Sequence, residues 1–153
     1  MSLGPTITET LNRARADLRM GVPVVLSSGG ASALAVAAEV LSSDRLAELR
    51  VMGPLTLAIT ARRAETLKAR AYDGDIARIA VPADVTAAWV AGVADPNDDL
   101  RSPMKGPFRS ERDGPADIHR AAIQLAKSAH LLPAAIVLPV ALPGIFYTRA
   151  GGQ

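Results

Sequence analysis

The chain has 153 residues, the size of a single domain, and it carries a net charge of only +2 at pH 7. Apolar residues make up 49% of the chain but aromatic residues only 3%, so we expect a core of alanine, valine, leucine and isoleucine. Because the sequence has no cysteine, disulfides, thiolate zinc sites and a cysteine nucleophile are excluded.

Charge and hydrophobicity also bear on the partners and location of the protein. The densest basic cluster, Arg13, Arg15 and Arg19, is interrupted by acidic residues, which is typical of a solvated helix face. The apolar run at residues 131–146 contains three prolines and is shorter than the roughly 20 residues of a membrane helix. We therefore expect no nucleic-acid partner and no membrane partner. Since no apolar signal segment opens the chain, we expect a cytoplasmic location.

The first half of the chain predicts alternating helices and strands. A helix capped by Thr6 or Thr8 runs to about Met20, and Gly21 ends it in the left-handed conformation. Residues 33–40 are rich in alanine and are compatible with either a helix or a strand. The other elements predicted here are a strand at residues 22–26, a helix from Ser43 and Asp44 to Arg50, and a strand at residues 55–59.

The middle of the chain predicts two more helices and one strand, followed by a long loop. Thr60 is the expected cap of a helix at residues 61–70, and Asp84 is the expected cap of a helix that runs to about Val93. Residues 76–81 alternate enough for a strand. Residues 95–116 are rich in proline, glycine and charge, and a loop of that length in a compact domain is usually functional or mobile.

The most strongly patterned stretch is residues 117–140. Its apolar residues recur on one helical face, Asp117 can cap the helix, and Pro133 should end it. The apolar run at residues 134–138 then suits a strand buried on both faces. A helix that leads into an interior strand predicts a layered α/β domain. We expect one domain over residues 1–140 and a tail or the start of a linker at residues 141–153.

Several motifs along the chain resemble those of one known family. They are Gly21 to Val25, Ala94-Asp95-Pro96, Asp99 to Pro103, Lys105 to Phe108 and Leu125 to Ala135. Through these motifs the chain is similar to dihydroxybutanone phosphate synthase, an enzyme of riboflavin biosynthesis. More closely, it resembles the catalytically degenerate version of that domain at the N-terminus of some bacterial GTP cyclohydrolase II proteins. The resemblance implies an α/β (α+β) layered sandwich with a mixed β-sheet, and it favours a strand at residues 33–40.

The resemblance also implies that the catalytic groups are lost. Active synthases carry an acidic Mg²⁺-binding loop in the first hairpin, whereas residues 27–32 contain no carboxylate here. The metal-binding histidine of the family falls on Ile118, and a glutamate near the end of the following strand falls on Pro139. The phosphate-binding Arg and Thr fall approximately on Thr86 and Trp89. We therefore expect no catalytic residue, no metal ligand and no cofactor in this chain.

The two histidines do not change this expectation. His119 and His130 lie about 16 Å apart along one predicted helix, so they cannot share a metal ion. His119 is one residue away from the family's histidine position, which rotates it by about 100° around the helix. We interpret both as histidines at a helix surface or a helix end.

Two alternatives to a noncatalytic domain remain open. The chain could be an active synthase with a site rebuilt from the long loop, using Asp98, Asp99, Glu111 and Asp113. It could also be a module that binds an anion or a nucleotide through Lys105, Arg109 and Arg112. These residues are candidates only because the loop concentrates them.

The resemblance finally implies partners. The active family dimerises, so we expect a homodimer. The family's cyclohydrolase chemistry belongs to a separate domain with a cysteine-ligated zinc, so zinc is expected only in that absent domain. A GTP cyclohydrolase II catalytic domain, in cis or in trans, is the expected partner.

Overall fold

The computed structural model describes Gly4, residues 6–100 and residues 106–141. Six strands in these residues form one sheet in the order β1-β2-β6-β3-β4-β5. The strands are β1 (Val24–Ser28), β2 (Ala31–Ala37), β3 (Thr56–Thr60), β4 (Ile76–Ala80), β5 (Ser110–Glu111) and β6 (Ala134–Val140). The helices are α1 (Ile7–Arg19), α2 (Ser43–Met52), α3 (Ala61–Leu67), α4 (Ala87–Ala94) and α5 (Asp117–Ser128).

Every strand pairing in the described residues is antiparallel. The layered α+β class is confirmed, but the expected mixed sheet is wrong, because β6 pairs antiparallel with both of its neighbours. Residues 33–40 divide between β2 and a short 3-10 turn at Ala38–Val40, so the strand interpretation holds for the first part of that stretch.

Alternating side chains bury both faces of the sheet. On one face, Val137 and Ala135 of β6 pack with Leu18 of α1 and Leu125 of α5. On the other face, Ile136 of β6 packs in a larger cluster with residues of α2, α3 and α4. The sheet is therefore the middle layer of three, which explains why β6 is apolar at consecutive positions.

Most helices begin at a hydroxyl side chain that accepts a backbone N–H. Thr6 forms a capping box with Glu9, and Thr60 caps α3 as predicted. The caps of α2 and α4 were predicted one and two residues away from their true positions, which are Ser42 and Thr86. Asp117 was a wrong prediction, because it is the first residue of α5 and the preceding Ala116 makes no side-chain cap.

Three helices end in a left-handed residue whose neighbours bond back to the last turn. Gly21 has this role after α1, as predicted, with φ of 78°. Lys68 and His130 have it after α3 and α5, with φ values of 60° and 65°. After α5, the N–H of Leu131 donates to the carbonyl of Ala126 at 3.0 Å. The helix therefore ends at Ser128, shortly before the left-handed His130, and not at Pro133 as predicted.

The long loop contains more structure than its sequence indicates. A short 3-10 turn follows Asp95, and β5 adds two residues to the sheet edge beside β4. Residues 101–105 lie outside the described residues, as does most of the tail predicted at residues 141–153. Among the described residues, no helix has the length and apolar content needed to cross a membrane.

Candidate functional site

A hairpin pocket of about 210 Å³ opens between the β1–β2 hairpin, the end of β6 and the start of α5. It lies on the α5 face of the sheet, since Ala33 and Val137 belong to the core cluster of that face. The lining residues are Ser28, Ala31, Ser32, Ala33, Pro115, Asp117, Ile118, His119, Val137 and Pro139.

The pocket brings together three positions at which the family resemblance implies catalytic or metal-binding groups. The first hairpin supplies Ser28 and Ser32, the metal-binding histidine position supplies Ile118, and the position of the family's glutamate supplies Pro139. These residues are far apart in sequence, so the sheet is what places them around one space. In the hairpin, the hydroxyls of Ser27 and Ser32 hydrogen-bond to each other at 2.9 Å.

Packing and ion pairs fix the start of α5 against the sheet. Ile123 packs with Ala58 of β3 and Ile76 of β4 in a small buried cluster. Arg120 donates to both carboxylate oxygens of Asp75, each at 3.0 Å. The helix can therefore present its first turn to the pocket in a constant orientation.

His119 is the one titratable group in the pocket wall that is partly buried, and its position was not expected. Its Nδ1 atom is buried and has no hydrogen-bond partner in the described part of the chain. Burial lowers the pKa of His119 below its ordinary value, and the nearby Arg78 guanidinium lowers this pKa further. Glu111 and Asp73 act in the opposite direction, but the net pKa shift is downward. The imidazole is therefore neutral at neutral pH.

A charged network lies beside His119 on the same face of the sheet. Arg78 is only 3% exposed and donates to both oxygens of Asp73, at 2.8 and 2.9 Å. It also donates to the backbone carbonyl of Asp113 at 3.0 Å. The hydroxyl of Thr56 donates to Glu111 at 2.8 Å. These carboxylates already have protein partners, so they are poorly suited to bind a metal ion.

The donor set of the pocket does not fit Mg²⁺. This ion prefers several hard oxygen ligands, usually carboxylates. Asp117 is the pocket's one carboxylate, and its side chain is 66% exposed and lies 3.6 Å from the Arg120 guanidinium. In residues 4, 6–100 and 106–141, no group of three or more His, Cys, Asp or Glu side chains could hold a metal ion.

The phosphate-binding positions of the family fall outside the pocket. Thr86 uses its hydroxyl to cap α4, and the Trp89 ring lies 6.0 Å from the ring of Phe108. Helix α4 packs on the opposite face of the sheet from α5. Neither Thr86 nor Trp89 therefore lines the pocket beside Ile118.

The carboxylates considered for a rebuilt site are separated by the fold. Asp99 binds Arg63 of α3 through both oxygens at 2.7 Å, on the face that carries α3 and α4. Glu111 accepts from Thr56 on the α5 face. Asp98 belongs to the 3-10 turn beside Asp99, and Asp113 offers its backbone carbonyl to Arg78. The structure does not bring these four residues into one site.

The three residues predicted to contact an anion, Lys105, Arg109 and Arg112, do not form a cluster in the part of the chain that the structure describes. Lys105 lies outside the described residues. Arg109 is exposed, and its backbone carbonyl accepts from the N–H of Ala80 at 2.9 Å. The guanidinium of Arg112 lies over the ring of Tyr72, 5.2 Å from the ring centre.

A second pocket, of about 290 Å³, lies at the opposite end of β6. Arg63 in its wall is buried and donates to Asp99, and its Nε donates to the carbonyl of Val93 at 2.7 Å. No local pattern predicts this arrangement, because Arg63 of α3 and Asp99 after α4 lie 36 residues apart in the chain. The other lining residues are Ile59, Thr60, Arg62, Thr66, Ala94, Pro96, Leu132, Pro133 and Ala134.

Comparison with solved structures identifies the fold. A 3,4-dihydroxy-2-butanone 4-phosphate synthase from Candida albicans matches with a TM-score of 0.61 and 18% identity, over 93% of this chain and 83% of that chain. A two-domain synthase from A. baumannii matches with a TM-score of 0.62 and 14% identity, over 91% of this chain and 50% of that chain. A synthase in complex with two magnesium ions matches with a TM-score of 0.55 and 17% identity, over 97% of this chain and 83% of that chain. The chain therefore has the dihydroxybutanone phosphate synthase fold.

Sequence comparison gives a more specific relationship. A GTP cyclohydrolase-2 from Azospirillum brasilense is 34% identical over 133 residues, which cover 84% of this chain. The chain spans about a third (34%) of that relative's length. No family model matches the chain. The chain therefore has the dihydroxybutanone phosphate synthase fold and is similar in sequence to part of a GTP cyclohydrolase-2.

Proposed function

We propose that this chain is the noncatalytic synthase-like domain of a GTP cyclohydrolase II protein of riboflavin biosynthesis, with a scaffold or assembly role. The observation that carries the proposal is the composition of the hairpin pocket. Three positions at which the synthase resemblance implies catalytic or metal-binding groups converge there, and they hold serines, Ile118 and Pro139. The resemblance implies that proton abstraction from the sugar phosphate needs a bound Mg²⁺, and the pocket lacks the set of carboxylates that this ion prefers.

The assembly role is supported by what the chain retains. The two apolar clusters are continuous on both faces of the sheet, and its buried arginines have carboxylate partners. A domain that keeps its core and lacks the groups of its reaction can still stabilise a second domain or set an oligomeric state. We propose a homodimer and a GTP cyclohydrolase II catalytic domain, in cis or in trans, as the partners.

The first experiment tests the absence of synthase activity. The full chain is incubated with ribulose 5-phosphate and Mg²⁺, and formate release is followed by NMR, with an active synthase as the positive control. We expect no formate above the level without protein. Formate release by the folded chain would overturn the proposal. It would favour the alternative of an active synthase whose site is rebuilt from the carboxylates of the long loop.

A second pair of measurements tests the partner and the alternative functions. Coexpression with a GTP cyclohydrolase II catalytic domain should raise the thermal midpoint of that domain or change its sedimentation coefficient. No change in either quantity would argue against the scaffold role. Saturable binding in a GTP titration of the chain alone would favour an anion or nucleotide module, and zinc-dependent GTP hydrolysis by this chain would contradict the proposal.

A further inference from the structure

The sequence contains two Asp-Gly pairs, Asp73-Gly74 and Asp113-Gly114. The side-chain carboxyl group of such an aspartate can be attacked by the next backbone nitrogen, because glycine has no Cβ that hinders the approach. The attack closes a succinimide ring. Whether the folded chain permits the reaction depends on what holds the carboxyl group and the glycine N–H at each pair.

The first pair is held at both reacting groups. The two carboxylate oxygens of Asp73 accept from Arg78 at 2.8 and 2.9 Å, and the side chain is only 11% exposed. The N–H of Gly74 donates to the carbonyl of Ala71 at 3.1 Å. Attack at this pair therefore requires a local opening that breaks both an ion pair and a turn.

The second pair is restrained at neither reacting group. Asp113 and Gly114 are both exposed, and they lie in the loop between β5 and α5. Within the described residues, the Asp113 carboxyl group and the Gly114 N–H make no hydrogen bond. Both groups are therefore available for the reaction in the folded chain.

The guanidinium that protects the first pair also contacts the second pair, but at a different group. Arg78 donates to the backbone carbonyl of Asp113 at 3.0 Å. A succinimide keeps this carbonyl, so the hydrogen bond is compatible with ring closure. A cationic donor stabilises the oxyanion that forms when water adds to a carbonyl. Arg78 therefore favours the addition of water at this carbonyl over addition at the other carbonyl of the ring.

We propose that Asp113 is converted spontaneously to isoaspartate in the folded protein and that Asp73 is not. In the first step, the Gly114 nitrogen bonds to the side-chain carboxyl carbon of Asp113, and the amide proton leaves with the carboxyl hydroxyl as water. In the second step, water adds to the former backbone carbonyl. The bond from that carbon to nitrogen breaks, and the nitrogen keeps the electron pair and takes a proton from the water.

The product gains a contact that the starting chain lacks. In isoaspartate the chain continues through the side-chain carbon, so the former backbone carbonyl of Asp113 becomes a carboxylate. This carboxylate forms at the carbon whose oxygen accepted from Arg78, and a charge-assisted hydrogen bond is stronger than one to a neutral carbonyl. The inference is independent of the proposed function, because the reaction needs only this loop and water.

The experiment ages the full chain in two states at the same pH and temperature. One sample is kept folded and the other is unfolded in urea, and isoaspartate at each pair is quantified by peptide mapping with electron-transfer fragmentation. In the folded sample we expect at least about tenfold more isoaspartate at Asp113 than at Asp73, because Asp73 reacts only after local opening. In the unfolded sample the two levels should agree within about threefold, since glycine follows both aspartates.

Two results in the folded sample would overturn the proposal. One is a level of isoaspartate at Asp73 that equals or exceeds the level at Asp113. The other is the absence of isoaspartate at Asp113 at a time when the unfolded sample has accumulated it at both pairs.

Ageing in water enriched in the heavy oxygen isotope tests the contribution of Arg78. Each opening of the ring then leaves a labelled oxygen in either isoaspartate or aspartate at residue 113. The ratio of labelled isoaspartate to labelled aspartate should be higher in the folded sample than in the unfolded sample, because only the folded chain holds the Asp113 carbonyl against Arg78. An equal or lower ratio would contradict the assigned effect of Arg78.

A matched pair of variants locates the modified residue. Total isoaspartate is counted by methyl transfer from S-adenosylmethionine with a protein isoaspartyl methyltransferase. Asp113→Glu should remove most of the isoaspartate of the folded chain, because the longer side chain closes a larger ring more slowly. Asp84→Glu, at an exposed aspartate that precedes valine, should leave the total unchanged. An unchanged total in the folded Asp113→Glu variant would overturn the assignment.

Discussion

Two polar regions on opposite faces of the sheet differ in how well their groups are paired. Arg63 on the α3 face donates to both oxygens of Asp99 and to the carbonyls of Gly92, Val93 and Asp95. His119 on the α5 face is also partly buried, but its Nδ1 has no partner in the described residues. The first region is complete without a ligand, whereas the second has unused hydrogen-bonding capacity.

This difference distinguishes polar groups that stabilise the fold from polar groups that do not. A buried cation is tolerated only when carboxylates and carbonyls compensate for its lost hydration, and Arg63 meets that condition. Its bonds join α3 to the end of α4 and to the loop that follows. The unpaired Nδ1 atom of His119 makes no such bond between elements in the described residues, so it has no structural role of this kind.

The largest effect is expected from removing the paired cation. Arg63→Ala should lower the free energy of unfolding by about 3–5 kcal/mol, because Asp99 and the last carbonyls of α4 would lose their donor. Urea unfolding followed by circular dichroism measures this loss.

The neighbouring Arg62 provides the control. It is exposed, and Arg62→Ala should change the free energy of unfolding by no more than about 0.5 kcal/mol. Similar losses in the two variants would mean that the paired network does not stabilise the fold.

The second prediction compares two carboxylates in one turn. Asp73 is 11% exposed and binds Arg78, so Asp73→Ala should lower the free energy of unfolding by about 2–3 kcal/mol. Asp75 is 61% exposed and binds Arg120, so Asp75→Ala should cost less than about 1 kcal/mol. Chemical unfolding of both variants provides the comparison. A larger loss of stability in Asp75→Ala than in Asp73→Ala would mean that the Asp75–Arg120 pair stabilises the fold more than the Asp73–Arg78 pair does.

The third prediction concerns the dependence of stability on pH. The pKa of His119 is lowered in the folded state, so the unfolded chain binds this proton first as the pH falls. His119 should therefore have no effect on stability well above pH ~6.5 and should reduce stability progressively below it, until the pH reaches the folded-state pKa. The slope of this contribution cannot exceed about 1.4 kcal/mol per pH unit.

A variant of His119 isolates this contribution from that of the carboxylates. His119→Gln should make the decline in stability below neutral pH less steep than in the unmodified chain. Thermal midpoints between pH 5 and 8 provide the measurement. Identical pH profiles for His119→Gln and the unmodified chain would show that this histidine does not titrate differently on unfolding.

The smallest expected effect on stability comes from backbone conformation at the left-handed residues that follow two helices. His130 is exposed and has a φ of 65°, a conformation that glycine adopts without steric cost. His130→Gly should raise the free energy of unfolding by about 0.5–1 kcal/mol, measured by thermal unfolding. Gly21→Ala should have the opposite effect, because its φ is 78° and an added Cβ would lie 3.0 Å from the Val40 carbonyl oxygen. A loss of stability in His130→Gly would contradict this interpretation.

Local sequence patterns predicted much of the secondary structure but located some boundaries incorrectly. The helical periodicity after Asp117 identified α5, and Thr60 was identified correctly as a cap. Ser42 and Thr86 were missed because neighbouring polar residues are equally plausible caps in an isolated segment. Packing of the helix against the sheet decides which candidate lies at the first turn.

The chemistry of the site was only partly visible in the sequence. The absence of carboxylates at residues 27–32 and the identities of Ile118 and Pro139 could be read directly, once the resemblance was recognised. The burial of His119 could not, since residues distant in the chain, such as Arg78 of β4 and Glu111 of β5, come near this histidine only in the folded protein. The two-sided burial of β6 was predicted from its composition, but its antiparallel pairing was not.

The sequence by itself determined the layered class and most of the elements, because periodicity and residue type are local properties. The tertiary structure decided which face of the sheet each helix covers, that Arg63 meets Asp99, and that the Nδ1 atom of His119 is buried without a partner in the described residues. Those outcomes depend on contacts between residues far apart in the chain, where desolvation and hydrogen bonding are set by the neighbours that the fold supplies.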